Sequence, residues 1–329
     1  MIQLNLIWQK KSKIYTFCFY MLIVLMFSCK QKPVNTIRIG VLEGPSAISF
    51  IQMIHNQQLI NNKKVEFIIK SDPQQIQALM MQNEVDFAIL PTVMAANLFN
   101  KGIDFKLLAC PIWGTLYILT NNNEIKILDD LQEVKISTFG QGATPDILLQ
   151  RFIQYNKLGD VAIDYTYSNN KDISFALIQK KINLAVVSEP LVSQLLLKDS
   201  TVKIVTKLNC QDYLGIYDKD IFVQSAFLVS EKFIKNHEFD ILPVCKAYSN
   251  SCNFINEQSL DAAKLLVKHN FLPDVQTAKI SLPLCNIQYV GAFALKLEVT
   301  RYLNIFYEFE PASIGGKIPD RNFIYQPKN

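Results

Sequence analysis

Four short segments of this 329-residue chain follow apolar runs and combine a proline with a polar or turn-forming residue: Gly44-Pro45-Ser46, Pro91-Thr92, Thr144-Pro145 and Glu189-Pro190. Proline has a fixed φ and no N–H, so it suits the opening position of a helix, and each segment predicts a strand ending where a helix begins. The first turn of a helix carries unbonded N–H groups and a partial positive charge. Four such ends facing one cleft would suit an anionic or acceptor-rich small molecule. Each one alone also reads as a cap serving its own helix. The sharpest of these turns is Gly140-Gln141-Gly142-Ala143-Thr144, where glycine either lets the backbone approach a ligand or simply turns the chain. Its spacing matches neither the dinucleotide fingerprint nor the phosphate-binding loop, which argues against nucleotide chemistry. Trp113 stands before Gly114-Thr115, and its ring would stack on a planar ligand or fill a core.

No set of residues resembles a catalytic centre. The chain has no Gly-x-Ser-x-Gly elbow and no His-Glu-x-x-His motif, while Asp86 and Asp164 lie in or beside strands and read as structural or capping residues. His55, His237 and His269 are scattered and no Cys-x-x-Cys occurs, so neither a zinc site nor any cofactor is expected.

The elements that must position these residues repeat one unit of short apolar run, turn and amphipathic stretch. Strands are expected at Ile37 to Leu42, Val65 to Lys70 and Val85 to Leu90, with helices at Ala47 to Leu59, Gln74 to Asn83 and Thr92 to Lys101. The pattern returns with strands at Val134 to Phe139, Val161 to Tyr167, Leu184 to Val187 and Val202 to Leu208. Apolar strands separated by helices imply a parallel sheet covered on both faces. The two stretches overlay with an offset of 97 residues, setting Phe87-Ala-Ile-Leu90 on Leu184-Ala-Val-Val187, which favours two α/β lobes built alike. The apolar run from Trp113 to Thr120 leaves the first half, and that from Ile221 to Ser230 returns to it. The helical stretches that follow, from Glu231 to Phe306, hold too few strands for a third sheet and pack on the first lobe. The expected organisation is a first lobe of 37–116 plus 222–329, with a second lobe of 117–221 inserted into it.

Composition narrows the class. Half of the residues are hydrophobic and 19% charged, which excludes a disordered or low-complexity protein. Lys10, Lys11 and Lys13 precede an apolar run from Ile14 to Phe27, too short to span a membrane and suited to the core of a signal peptide over residues 1–28. Removing that segment takes away three of the 33 basic residues and none of the 29 acidic ones, leaving a nearly neutral chain. Nucleic-acid binding, which needs a concentrated basic face, is therefore not expected. The run ends at Phe27-Ser28-Cys29, which resembles the bacterial lipoprotein cleavage site, with Cys29 the lipidated residue and 29–36 a tether. An uncleaved anchor or an ordinary signal peptide is the alternative. Export would leave Cys110, Cys210, Cys245, Cys252 and Cys285, an odd number, so at least one is free, and all read most simply as buried thiols.

Several of these segments resemble a known family. Ala88-Ile-Leu-Pro-Thr92 with Ala95-Ala-Asn-Leu98, Lys106-Leu-Leu-Ala109 before Trp113-Gly114, Thr138-Phe-Gly-Gln-Gly-Ala-Thr-Pro145, Ser188-Glu-Pro190 and Ser313-Ile-Gly-Gly-Lys317 are similar to the periplasmic solute-binding proteins of ABC importers. Within them the resemblance is to the NMT1/THI5-like branch for nitrate, sulfonate, taurine and thiamine precursors, and it spans about Ile37 to Tyr325. It implies a type II periplasmic-binding-protein fold, a monomer whose two lobes close on a small solute and deliver it to an ABC permease in the membrane. The protein would be exported, held by its lipid anchor, and not an enzyme. The implied contacts are Ser46, Thr92 and Trp113 from the first lobe, Gly142, Ala143, Thr144, Ser168 and Glu189 from the second, and Gln224 near the hinge. These loops hold no Arg or Lys to neutralise a full anion, but they do hold Glu189 and Trp113. That favours a planar, neutral or weakly cationic heteroaromatic solute stacked on Trp113 and hydrogen-bonded by Glu189, unless Glu189 is only a helix cap. The pyrimidine-synthesising enzymes of the same branch are the alternative, and the cysteine-rich iron motif and active-site histidine they imply have no counterpart here. A binding module feeding a sensor remains a third reading.

Overall fold

The computed structural model describes residues 36–208 and 222–327. The expected signal segment, the tether with Cys29, and Cys210 lie outside these residues. The first sheet has seven strands in the order β12-β5-β11-β4-β1-β3-β2. They are β1 (Thr36–Leu42), β2 (Leu59–Ile60), β3 (Lys63–Lys70), β4 (Phe87–Pro91), β5 (Phe105–Ile112), β11 (Ser225–Ser230) and β12 (Ile287–Gly291). The second sheet has five, in the order β10-β6-β9-β7-β8. These are β6 (Leu116–Thr120), β7 (Lys135–Ser137), β8 (Ala162–Asp164), β9 (Leu184–Ser188) and β10 (Lys203–Lys207). Helices α1 (Pro45–Ile48), α2 (Ile51–His55), α3 (Pro73–Met81) and α4 (Thr92–Asn100) connect the early strands of the first sheet. Helices α5 (Thr144–Tyr155), α6 (Asn170–Ile178) and α7 (Leu191–Lys198) connect those of the second. The chain closes with α8 (Glu231–Glu257), α9 (Ser259–Lys268), α10 (Val275–Leu284) and α11 (Lys296–Phe309).

The sheets are mixed rather than parallel. β4 lies parallel to β1 but antiparallel to the returning strand β11, and β9 lies parallel to β7 but antiparallel to β6. A strand that comes back from the other lobe arrives from the hinge end and can pair only antiparallel. The 97-residue offset therefore matches two equivalent strands, each between one parallel and one antiparallel neighbour and each followed by a helix at the hinge end. Phe87 to Leu90 and Leu184 to Val187 are fully or almost fully buried, as expected of strands covered on both faces.

Local chemistry explains the other departures from expectation. The helix expected from Ala47 to Leu59 breaks at Ser49 and Phe50, where the Ser49 hydroxyl donates to the Ser46 carbonyl at 2.6 Å and meets the Tyr248 hydroxyl at 2.7 Å. A side chain that bonds backbone in this way competes with the helix. The stretches Glu231 to Asn236 and Leu242 to Asn256 form one helix, α8, bent at His237 where φ is −143°. Pro243, inside the same helix, cannot donate to the Phe239 carbonyl. β5 and β12 complete the first sheet and were not anticipated as strands; β5 carries Pro111 and β12 only a short apolar pattern.

The core of the first lobe is aromatic. Phe50 stacks on Tyr248 with ring centroids 3.8 Å apart, Tyr248 meets Phe227 edge-on, and Phe227 stacks on Phe87. The second lobe closes around Tyr117, Leu119, Ile173, Leu177, Val187 and Val192. Cys110, Cys245, Cys252 and Cys285 are free thiols, and three of them are fully buried. Burial pushes the Cys245 thiol up to about 11, so it stays protonated and behaves as a small apolar group.

Candidate functional site

All four helices singled out from the sequence begin where a strand ends at the hinge end of a sheet. Their N-cap residues are Gly44, Pro91, Ala143 and Pro190, none with a side-chain acceptor, and no N-cap side chain makes a capping bond. The expectation of hydroxyl caps at Thr92 and Thr144 is thus corrected: each is the first helical residue, one position past the cap. Pro190 is likewise a cap, one residue ahead of the first helical position it was expected to take.

Thr92 is fully buried and its hydroxyl donates to the Val223 carbonyl at 2.5 Å, while its amide donates to the Gln224 carbonyl at 3.0 Å. Its side chain is spent on the hinge and not offered to a ligand. Gln224 joins the segment leaving the first lobe, since the Thr115 amide donates to its Oε1 at 2.8 Å and its Nε2 donates to Thr115 Oγ1 at 3.1 Å. The Thr115 hydroxyl meets Ser188 Oγ at 2.7 Å, and the Thr115 carbonyl accepts the Glu189 amide at 3.0 Å. Asn170 holds the other side of Ser188, accepting its amide at 2.9 Å and donating to its carbonyl at 3.1 Å. Thr115, Ser188 and Asn170 were not among the contact residues expected from the sequence, because their partners lie between 18 and 109 positions away.

Glu189 is 1% exposed, and its carboxylate accepts the Ser193 hydroxyl at 3.0 Å and the Ser193 amide at 3.4 Å. It caps the start of α7 from inside the protein. Burial is the main cause that raises its carboxyl to about 7, against the lowering effect of the Ser193 bonds. The same carboxylate contributes to raising the neighbouring Tyr117 hydroxyl and Cys285 thiol, whose main perturbation is burial. The Tyr117 hydroxyl donates to the Leu284 carbonyl at 3.2 Å, linking β6 to α10 of the first lobe.

The lobes touch at the mouth of the cleft. Lys171 Nζ lies 2.8 Å from both oxygens of Glu43, and the space at Gly44 is bounded by the Glu189 carbonyl and the Pro190 ring. Gly44 has φ +93°, a backbone conformation that suits glycine. Ser46 is buried just beyond it. Trp113 is half-buried and its indole N–H donates to the Gln288 carbonyl at 2.7 Å, which fixes the ring beside the hinge.

The Gly140 loop is held from below. Asp146, 1% exposed, accepts the Gly142 amide at 2.7 Å, the Gln150 amide group at 2.8 Å and the Tyr165 hydroxyl at 2.7 Å. Gly142 and Ala143 are exposed and Thr144 is buried beside the Tyr302 phenol of α11. A cavity of about 480 Å³ opens at this loop, lined by Gly142, Asp146, Gln150 and Tyr165 on one side and by Phe309 and Glu310 from the end of α11 on the other. Ser168 is exposed on the turn before α6 and is not joined to this cavity. The structure thus gathers Thr92, Gln224 and Glu189 around Thr115 and Ser188 at the hinge, and Gly142, Ala143 and Thr144 at the Asp146 loop. Among the described residues no group of three His, Cys, Asp or Glu side chains is placed to hold a metal ion.

No family model matches the chain, and no curated protein matches it. Solved structures do. An ABC transporter protein from Parabacteroides distasonis is similar at 32% identity over 89% of this chain and all of its own length, with a TM-score of 0.78. The periplasmic aliphatic sulphonate binding protein SsuA from Escherichia coli is similar at 19% identity, covering 90% of this chain and 94% of its own, with a TM-score of 0.71. The zinc-bound ligand-binding component of an ABC-type import system from Staphylococcus aureus matches at 14% identity over 89% and 96% of the two chains, with a TM-score of 0.67.

Proposed function

Because this chain belongs to the solute-binding proteins of ABC transporters, we propose that it captures one small solute between its lobes outside the cytoplasm and presents it to a permease. The observation that carries this reading is the hinge clamp. Thr115 and Gln224, on the two segments that cross between sheets, bond to each other, while Glu43 and Lys171 meet across the cleft mouth. A ligand that touches both lobes shifts such a pair of lobes towards the closed state by its differential affinity for that state. Binding alone suffices, so we read the protein as a carrier and not an enzyme. Lobes of 37–116 plus 222–329 and of 117–221 fit the strands each sheet draws on.

Solute contact falls to Ser46, Trp113, Gly142, Ala143, Thr144 and Ser168, while Thr92, Gln224 and Glu189 hold the shape of the cleft. The cation at the cleft mouth, Lys171, is already paired with Glu43. A planar, neutral or weakly cationic heteroaromatic solute therefore fits better than a fully charged nitrate or sulfonate. The Escherichia coli relative binds aliphatic sulphonates by its name, and that class is the competing reading. Export by the amino-terminal signal and lipidation at Cys29 complete the proposal.

Calorimetry with an aminopyrimidine series, taurine, an alkanesulfonate and nitrate tests the ligand class. Pyrimidine binding lost on Trp113→Ala with the fold intact supports it, and preference for an anion overturns it. Turnover of a bound metabolite would replace the carrier reading with the enzyme one.

A further inference from the structure

The chain enters the first sheet at Thr36, the start of β1. Two residues on, the Arg38 amide donates to the Asp86 carboxylate at 2.8 Å, and the Ser230 amide donates to the Asp86 carbonyl at 2.9 Å. Ser230 caps α8, so β1 and α8 begin at the same end of the sheet. The turn between β2 and β3 lies there too, because Asn61 donates to Asp240 at 2.8 Å and Lys63 pairs with the same carboxylate. The hinge and cleft occupy the opposite end.

This end holds apolar side chains in water. Phe239 is 93% exposed, Leu242 76% and Leu59 60%. Phe239 and Leu242 stand three residues apart on α8 and so share a face, while the bend at His237 and the missing N–H of Pro243 bracket that turn. Lys64, Lys232 and Lys235 are exposed at the same end. Asp240 and Glu231 are already paired with Lys63 and Lys106, the half-buried Glu238 accepts the Tyr325 hydroxyl at 3.4 Å, exposed Glu66 stands on β3 two residues from Lys64, and the exposed acids Glu84 and Asp104 belong to the turns leading into β4 and β5. Aromatic and aliphatic side chains flanked by lysines match the chemistry of a membrane interface, where apolar groups enter about 5–10 Å and lysines meet anionic headgroups.

We propose that this end of the first lobe rests on the surface of an anionic membrane, with Phe239 and Leu242 in the interfacial layer and Lys64, Lys232 and Lys235 against the headgroups. The proposal rests on the reading of Cys29 as the lipidated residue. Six residues separate Cys29 from Thr36, and the seven residue-to-residue steps of a fully extended chain span at most about 25 Å, so the bilayer is within reach of this end of the sheet. A contact of this kind adds to the hold of the lipid at Cys29, because buried apolar area and the attraction of lysines to anionic headgroups each strengthen binding at the interface.

The test uses the full lipidated protein in vesicles of phosphatidylglycerol and bromine-labelled phosphatidylcholine, comparing Phe239→Trp with Phe175→Trp, an exposed aromatic position of the second lobe. The expected result is loss of emission for Phe239→Trp alone, diminished when phosphatidylglycerol is omitted or salt is raised. Equal emission of both variants on protein that floats with the vesicles overturns the proposal and leaves the Cys29 reading intact. Protein that does not float overturns the Cys29 reading and the proposal with it. A change in emission that follows protein concentration without lipid assigns the surface to contacts between copies and also overturns the proposal.

Discussion

Gln224 and Thr115 are bonded to each other in both directions, the Gln224 side chain donating to the Thr115 hydroxyl at 3.1 Å and accepting the Thr115 amide at 2.8 Å. They lie 109 residues apart, on the two segments by which the chain leaves and re-enters the first sheet. Gln224→Ala leaves the Thr115 amide without its acceptor, and a buried unsatisfied donor costs about 1–3 kcal/mol. Urea unfolding of the variant should show a loss of that size, together with weaker solute binding. An unchanged unfolding midpoint would mean that the pair does not hold the hinge.

Glu189 supplies a dependence on pH. Its folded carboxyl, raised to about 7 from an ordinary 4.5, holds its proton more tightly than in the unfolded chain. The associated stability is full below pH 4.5 and is lost as pH rises through 7. At about 1.4 kcal/mol per pH unit the loss reaches at most about 3.5 kcal/mol. Glu189→Gln removes it, so the variant should gain on the parent protein in unfolding free energy between pH 5 and pH 8. Parallel curves across that window would show that the carboxyl is not raised.

Asp146 anchors the Gly140 loop through three bonds. Asp146→Ala strands the Gly142 amide and the Tyr165 hydroxyl, and should lower stability by about 2 kcal/mol or more. Hydrogen exchange at the Gly142 amide should accelerate in the variant. Unchanged protection there would show that the loop does not depend on the carboxylate.

The carboxyl-terminal turn tests a steric argument. Gly315 has φ +79°, and a Cβ there would lie 2.9 Å from Asn100 Cβ, whereas Gly316 has φ +84° with nothing within 4 Å. Asn100 donates to the Ile314 carbonyl at 2.7 Å and the Lys317 carbonyl at 2.6 Å, so it has little freedom to give way. Left-handed backbone alone costs an alanine about 1–2 kcal/mol. Gly316→Ala should lower the unfolding free energy by that amount only, and Gly315→Ala by distinctly more. Equal shifts would remove the role of the Asn100 contact.

What the sequence alone determined is what depends on near neighbours. Apolar runs marked β1, β4, β9 and the returning strand β11, because a strand buried on both faces must be apolar throughout. The repeat at an offset of 97 residues exposed the likeness of the two sheets, and the prolines located the starts of α1, α4, α5 and α7 to within a residue. The family resemblance lay in those same short turns. Tertiary structure decided the rest, because hydrogen bonds and burial are settled by partners far along the chain. Nothing near Thr92 announces that its hydroxyl will be taken by Val223, 131 residues later. Glu189 looks like a charged cleft residue until Ser193 and the lobe contacts bury it. The direction of β11, and with it the mixed character of the first sheet, follows only from the return of the chain through the hinge, which no local pattern encodes.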